Sequence, residues 1–374
     1  MNVIVAGDFA PRARLAQQID ERKFGDIFPE ELQSIIKSAD YSLVNFESPV
    51  IENTFSPIKK CGPNLGCSEN AVEAIKYAGF KCVTLANNHI LDYGEGGLNM
   101  TIECCQTQEI DVVGVGANLQ DAEKVLYVEE NGQKLAIINC CEHEFSIASC
   151  ATTGANPLNP IAQFYKIKEA KQNADFVLVV VHGGHEHFQL PSMRMQETYR
   201  FFVDAGADAV VNHHQHCYSG YELYKGKPIF YGLGNFCFDW DGVPKKMWTE
   251  GYFVEIKFDK EISFNIYPYC QYGEVARVNL LPPNSFTDTL ENLNSIIRDE
   301  ERLNESVETY YKNSMKSVAL SLEPICNRYV KGLQYRGFLP RMVNKKWIPI
   351  LSNVVMCESH RDKLSYYLDA KLNK

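Results

Sequence analysis

The sequence predicts a mixed α/β fold followed by a helical extension, and three observations carry that reading. Over roughly the first 270 residues, short apolar, β-branched runs alternate with stretches of helical periodicity, the pattern of strands joined by crossover helices. VEENGQKLAII holds Asn131-Gly132 between two strand-like runs, which sets an antiparallel hairpin beside the parallel strands. Beyond about residue 280 the strand signal stops and helical spacing takes over.

In chain order, strands are expected at 2–6, 41–46, 82–85, 112–113, 134–139, 176–181, 209–212 and 228–232. Helices are expected between several of them, at 29–38, 68–78, 96–108 and 191–205. GYFVEIKFD and ISFNIYPYC read as a late antiparallel pair, so the sheet is mixed. In SFTDTLENLNSIIRDEERL, residues Leu290, Leu293, Ile296 and Ile297 fall at helical spacing, with Thr287 as the expected N-cap. SHRDKLSYYLDAKL repeats that style, with Ser359 in the capping place. The expected division is therefore an α/β domain over 1–279 and a helical extension over 280–374 packed on it. The extension shows no catalytic motif. Its single histidine, His360, falls on a predicted amphipathic helix, and the extension is expected to supply no metal ligand.

Composition narrows the function classes. With 45% hydrophobic residues the 374-residue chain can bury a substantial core. The net charge is −10, and no strongly basic stretch interrupts it, which argues against a nucleic-acid partner held by bulk electrostatics. An acidic protein can still bind phosphate locally when metal ions supply the positive charge. No apolar run approaches the roughly 20 residues needed to cross a bilayer. MNVIVAGDFA enters a strand pattern at once, without the n- and h-regions of a signal peptide. A cytoplasmic setting is expected, with the thirteen cysteines reduced and mostly acting as small buried hydrophobes.

The chemistry collects at strand ends, where open α/β sheets bind their ligands. Asp8 follows the first strand, Asn45 and Glu47 end the second, and Asn87, Asn88 and His89 follow the third, with Asp92 just beyond. His182 ends the run before GGHEHF, which also holds His185, Glu186 and His187; His213, His214 and His216 follow ADAVVN, and Asn235 follows PIFYGLG. Alternation along an extended segment would put His214 and His216 on one side. Carboxylate, amide and imidazole donors suit Mn, Fe or Zn, and paired divalent ions serve many phosphoesterases. Two decoys are set aside. His-x-x-x-Glu-His after a strand is one residue too long for an inverted zincin helix, and GVGANL lacks full phosphate-loop spacing. No Gly-x-Ser-x-Gly elbow is present.

GDFA, NFESPV, LANNHILDYGEGGL, VGVGANLQDA, VHGGHEHFQLPS, GADAVVNHHQHCYSGYE and GKPIFYGLGNFCFD together resemble, in order, the CapA-type poly-γ-glutamate and capsule synthesis family of the calcineurin-like metallophosphatase superfamily. The resemblance covers roughly residues 1–240. It implies a four-layer sandwich of two mixed sheets flanked by helices, with one or two divalent ions at the strand ends. By position it implies Asp8, Glu47, Asn88, His182, His214 and His216 as metal ligands, Glu47 bridging. His89, Asp92 and Glu186 are the expected catalytic groups, with Glu186 placed to accept the second N–H of His182. Asn45, Asn87, His185, His213 and Asn235 are the expected substrate contacts, while His187 is expected to be structural or solvent-facing. Two positions depart from the superfamily pattern: Ala10 stands where a histidine is usual, and Glu47 where an aspartate is usual.

The implied activity is hydrolysis of a phosphorylated or polyanionic substrate by metal-activated water, linked to capsule, polyglutamate or polysaccharide synthesis, with His89 protonating the leaving group. Two alternatives share the same residues. One is a non-catalytic metal- or polymer-binding assembly subunit, favoured by Ala10; the other is metal-dependent amide chemistry on glutamyl polymers.

Overall fold

Val, Ile and aromatic runs become strands close to where their pattern places them. The computed structural model describes residues 1–239, 246–271, 273, 275–322, 333, 338 and 346–372. Its strands are Asn2–Phe9 (β1), Tyr41–Phe46 (β2), Cys82–Thr84 (β3), Asp111–Val113 (β4), Val115–Gly116 (β5), Leu126–Glu130 (β6), Gln133–Cys141 (β7), Gly154–Ala155 (β8), Phe176–His182 (β9), Ala209–His213 (β10), Tyr221–Tyr224 (β11), Lys227–Phe230 (β12), Asn235–Cys237 (β13), Glu250–Lys257 (β14), Ser263–Cys270 (β15) and Asn279–Leu280 (β16). The helices are Ala13–Asp20 (α1), Phe24–Ile27 (α2), Glu30–Ser38 (α3), Asn70–Ala78 (α4), Gly94–Thr107 (α5), Leu119–Ala122 (α6), Pro160–Asn173 (α7), Met193–Ala205 (α8), Lys246–Thr249 (α9), Thr287–Arg298 (α10), Glu300–Leu322 (α11), Trp347–Met356 (α12) and Glu358–Leu372 (α13).

Two mixed sheets form the body. One runs β16-β15-β14-β1-β2-β3-β4 with β13 also paired to β1, and the other runs β11-β12-β10-β9-β7-β6. Alternation along β1 sends Val3 and Val5 into a core shared with the second sheet, and Ile4 and Ala6 into a core shared with α1, α3, α4 and α5. The outer face of the second sheet is covered by α7 and α8 through Ile167, Ala170, Tyr199 and Phe202. The layers are thus helix, sheet, sheet, helix, as expected.

The Asn131-Gly132 hairpin joins β6 to β7, with both residues at positive φ (54° and 74°), the geometry of a type I′ turn. The late antiparallel pair is β14 and β15, and it extends the first sheet directly beside β1. No disulfide occurs among the described residues, and eight of the twelve described cysteines are buried.

Two capping expectations are corrected. Thr287 is the first residue of α10 instead of its cap, and Ser359 lies inside the first turn of α13, where its hydroxyl donates to Glu142 Oε2 at 2.6 Å. The helix opens at Glu358, one residue earlier. Helix α1 and helix α7, with Pro160 at its start and Asn159 capping, were not among the expected helices.

The C-terminal helices are fastened to the body by directed polar contacts. Gln196 donates to the Ile297 carbonyl at 2.7 Å, the backbone N–H of Tyr221 donates to Asn294 Oδ1 at 2.7 Å, and Arg194 pairs with Asp362 at 2.9 Å. His143 meets the Glu358 carboxylate through both its backbone N–H, at 2.8 Å, and its ring Nδ1, at 2.5 Å.

Candidate metal centre

Parallel strands from both sheets point their carboxyl ends at one place. β1 delivers Asp8, β2 delivers Asn45 and then Glu47, and the turn after β3 delivers Asn87, Asn88 and His89. From the second sheet come His182, the last residue of β9, and His214 and His216, just past β10. Asp8 is aimed by an irregularity: the β1–β2 register shifts between Ala6 and Asp8. A Cβ on Gly7 would lie 1.9 Å from the Gly234 carbonyl oxygen, so only glycine allows the strands to close there.

His214 and His216 reach the site by a route the sequence pattern does not show. The segment is not extended: both residues adopt left-handed backbone, at φ 88° and 55°. Non-glycine residues held there are strained, and such strain clusters at functional sites. Their rings end 5.9 Å apart.

Four donors crowd around one point. His182 Nε2 lies 3.0 Å from Asn88 Oδ1, 3.1 Å from His214 Nδ1 and 3.4 Å from Glu47 Oε1. Ligands bound at about 2.1 Å to one cation keep about this mutual spacing. Burial, reinforced by the charges of the neighbouring histidines, holds His182 well below the usual imidazole range, so it is a neutral donor.

A second group shares Glu47. Ligand atoms of Asp8, Glu47 and His216 lie within 4.8 Å of one another, as do those of Glu47, His182 and His214. Both Glu47 carboxylate oxygens are fully buried and have no hydrogen-bond partner among the described residues. Burial and the adjacent Asp8 charge push the Glu47 carboxyl well above its ordinary range. A buried carboxylate left in that state is costly, and a cation between the two groups removes the cost. The donor set therefore fits divalent ions.

Beside this centre sits a hydrogen-bonded chain. His89 Nε2 lies 3.9 Å from Glu47 Oε1, while its Nδ1 lies 2.7 Å from Asp92 Oδ2. Lys60 forms an ion pair with Asp92 in which the two side chains are 1% and 0% exposed, and it also lies 3.0 Å from His89 Nδ1. Burial lowers the His89 pKa, its hydrogen bond to Asp92 works against that, and the Lys60 charge lowers it again. The sequence reading missed Lys60; a lysine in a loop without periodicity gives no sign that it will be buried.

The model for bacterial capsule synthesis protein PGA_cap matches residues 2–240. The chain belongs to this family. Among its PGA_cap relatives, the capsule biosynthesis protein CapA of Bacillus anthracis is 35% identical over 64% of this chain and 60% of its own length. The PGA biosynthesis protein CapA of Bacillus subtilis is 34% identical over 60% of each. The chain thus spans about 60% of the length of these relatives. Among solved structures, a phosphatase from Mycoplasma pneumoniae covers 77% of this chain and 98% of its own, at 16% identity and a TM-score of 0.46. A 5'-nucleotidase precursor from Thermus thermophilus covers 84% and 59%, at 14% identity and a TM-score of 0.41. Likeness this remote does not identify an activity.

Within the PGA_cap region, several of the expected site residues have hydrogen-bond partners inside the protein. Asn45 is buried and its amide lies 2.8 Å from Asp8 Oδ1 and 3.2 Å from His182 Nδ1, so it braces two ligand candidates. That nitrogen of His182 therefore meets Asn45, where Glu186 was expected. Asn87 shapes the turn, bonding the Phe46 carbonyl at 2.9 Å and the His89 N–H at 3.1 Å. Asn235 lies 2.9 Å from His216 Nδ1, and His213 Nε2 ties the two sheets through the Ala6 carbonyl at 2.9 Å. His185 is buried against the C-terminal helices, 3.0 Å from the Tyr311 hydroxyl. All five expected substrate contacts make hydrogen bonds within the protein. Glu186 is exposed, and His187, also exposed, packs near the Trp248 and His216 rings. Although the Glu186 side chain reaches solvent, the protein packed around its carboxyl would raise it; the charges of His214, His216, His187 and His360 prevail and hold it down to about 2. Ala10, in the usual histidine place, is fully buried with Leu65, Phe238 and Trp248.

Among the described residues no helix is long and apolar enough to cross a membrane.

Proposed function

We propose that this chain is a metal-dependent hydrolase of phosphoesters acting on a phosphorylated or polyanionic substrate in capsule, polyglutamate or polysaccharide synthesis. One observation carries the reading: Glu47, buried and without a hydrogen-bond partner among the described residues, is common to two groups of ligand atoms. One ion would be held by Glu47, Asn88, His182 and His214, and a second by Asp8, Glu47 and His216. Divalent ions there would acidify water and draw charge from a phosphoryl oxygen, with Mn, Fe or Zn suited to these donors. His89 faces the centre through Nε2 and is positioned through Nδ1 by Asp92, which Lys60 holds in turn. It supplies the proton for the leaving oxygen. Glu186, whose carboxyl the neighbouring histidine charges hold down, would serve as a proton acceptor.

A second reading, a non-catalytic metal- or polymer-binding subunit, is favoured by Ala10. The group of Asp8, Glu47 and His216 borders an apolar cluster where another imidazole would complete it. The decisive experiment is metal analysis of the purified chain followed by hydrolysis assays with added Mn on phosphomonoester, phosphodiester and glutamyl-peptide substrates. Turnover of a phosphoester supports the hydrolase. Turnover of the glutamyl peptide alone assigns amide chemistry, and bound metal without any turnover assigns the subunit role.

A further inference from the structure

The start of α13 is pinned to the body with a precision that its short polar sequence does not call for. Glu142, fully buried, accepts from Ser359 Oγ at 2.6 Å and pairs with Arg194 at 2.6 Å, and Arg194 also holds Asp362. Next to it His143 clasps Glu358. These contacts fix the loop after β7 against the first turn of α13. In doing so they bring together three donors of different chemistry: Glu144 from the loop, and Cys357 and His360 from the chain entering α13.

Ligand atoms of these three residues lie within 4.8 Å of one another. His360 Nδ1 is 3.9 Å from Glu144 Oε1, and it is a buried atom with no hydrogen-bond partner among the described residues. Cys357 is 1% exposed, whereas the His360 side chain is 36% exposed, so the cluster is closed on the sulfur side and open to water on the other. Ligands of a tetrahedral ion with Zn–S and Zn–N lengths of about 2.3 and 2.1 Å sit about 3.5 Å apart, within side-chain adjustment of the spacing found. Sequence separation hid the site: Glu144 lies more than 200 residues before Cys357 and His360, which stand three residues apart.

We propose that Glu144, Cys357 and His360 form a further metal site for a thiophilic divalent ion of the zinc class, with its fourth position open to water. Thiolate and imidazole donors select such ions over Mg or Ca, which prefer oxygen alone. On binding, the Cys357 thiol releases its proton to solvent and the sulfur bonds the metal; no electron is transferred. The ion staples α13 to the loop beside the main centre. This site does not depend on the hydrolase reading, because it shares no residue with the centre at Glu47.

Cobalt distinguishes the two sites, since the main centre contains no cysteine and only a thiolate ligand gives a sulfur-to-cobalt charge-transfer band. The full chain, stripped with a chelator under reducing conditions, is titrated with Co2+ and then with competing Zn2+. The band should appear in the wild type and in Glu47→Ala, be lost in Cys357→Ser, and be bleached by Zn2+. His360→Ala, on the open side and tolerable for folding, should weaken Co2+ affinity at this band by about tenfold or more. Absence of the band in excess Co2+, its full persistence in Cys357→Ser, or its loss in Glu47→Ala would each overturn the proposal. Circular dichroism of each variant checks that the fold is retained.

Discussion

Lys60, Asp92 and His89 form the part of the site where single side chains matter in different ways. Lys60 and Asp92 are a buried ion pair, and removing one partner of such a pair typically costs about 3–5 kcal/mol. Lys60→Met should therefore lower unfolding stability by that order in chemical denaturation, while bound metal per chain stays unchanged, because Lys60 belongs to neither ligand group. His89→Ala should leave metal content nearly intact and reduce phosphoester turnover by about 100-fold or more, measured as kcat on whichever ester the chain hydrolyses. Glu47→Ala should lose metal and activity together, and Asn88→Ala should resemble it, since Asn88 Oδ1 faces His182 Nε2 at 3.0 Å. Equal inertness of wild type and His89→Ala, with metal bound, would favour the subunit reading. The strand-end donors were readable because each follows an apolar run. The internal partners of Asn45, His213 and His185 were not, because which way a polar side chain turns at a strand end depends on the sheet or helix it meets.

At the scale of elements, the tight meeting of β1 with the chain entering β13 sets the direction of Asp8. A methyl on Gly7 would collide with backbone atoms of Gly234 that cannot swing aside. Gly7→Ala should cost about 1–3 kcal/mol as overpacking and also reduce bound metal, read by denaturant unfolding and elemental analysis. Gly132 makes a useful contrast: a Cβ there meets nothing within 4 Å, though its φ of 74° disfavours one. Gly132→Ala should cost about 1 kcal/mol in stability and leave metal content alone. The hairpin was legible because Asn-Gly carries its turn geometry locally. The turn holding His214 and His216 was not, because HHQH has no glycine to announce its two left-handed residues and only the surrounding site explains them. The place of Ser359 was hidden for a related reason, since its hydroxyl meets Glu142, a partner more than 200 residues away.

For the whole molecule, layers and strand positions were readable from apolar periodicity, whereas the placement of β14 beside β1 was not, because pairing across 250 residues leaves no local trace. The attachment of the C-terminal helices was equally hidden, and it has a pH signature. Burial alone would raise the Glu142 carboxyl; the Arg194 charge and the Ser359 and Arg194 hydrogen bonds prevail and bring it down to about 2 from an ordinary value of 4.5. Its contribution is thus present above the unfolded-state value and lost as pH falls through the lower one. The stability difference between wild type and Glu142→Gln should shrink between about pH 4.5 and 2, followed by thermal melting. The convergence of two sheets on one centre has a different consequence. Asp8, Glu47 and Asn88 come from the first sheet's strands, and His182, His214 and His216 from the second's. A cation gripping both would act as a rivet, so that release of metal and separation of the sheets would become one cooperative event. Free ion at about 100 times its dissociation constant would add about 2.7 kcal/mol by mass action. The melting temperature should then climb with the logarithm of metal concentration, and a chelator should soften the whole body at once.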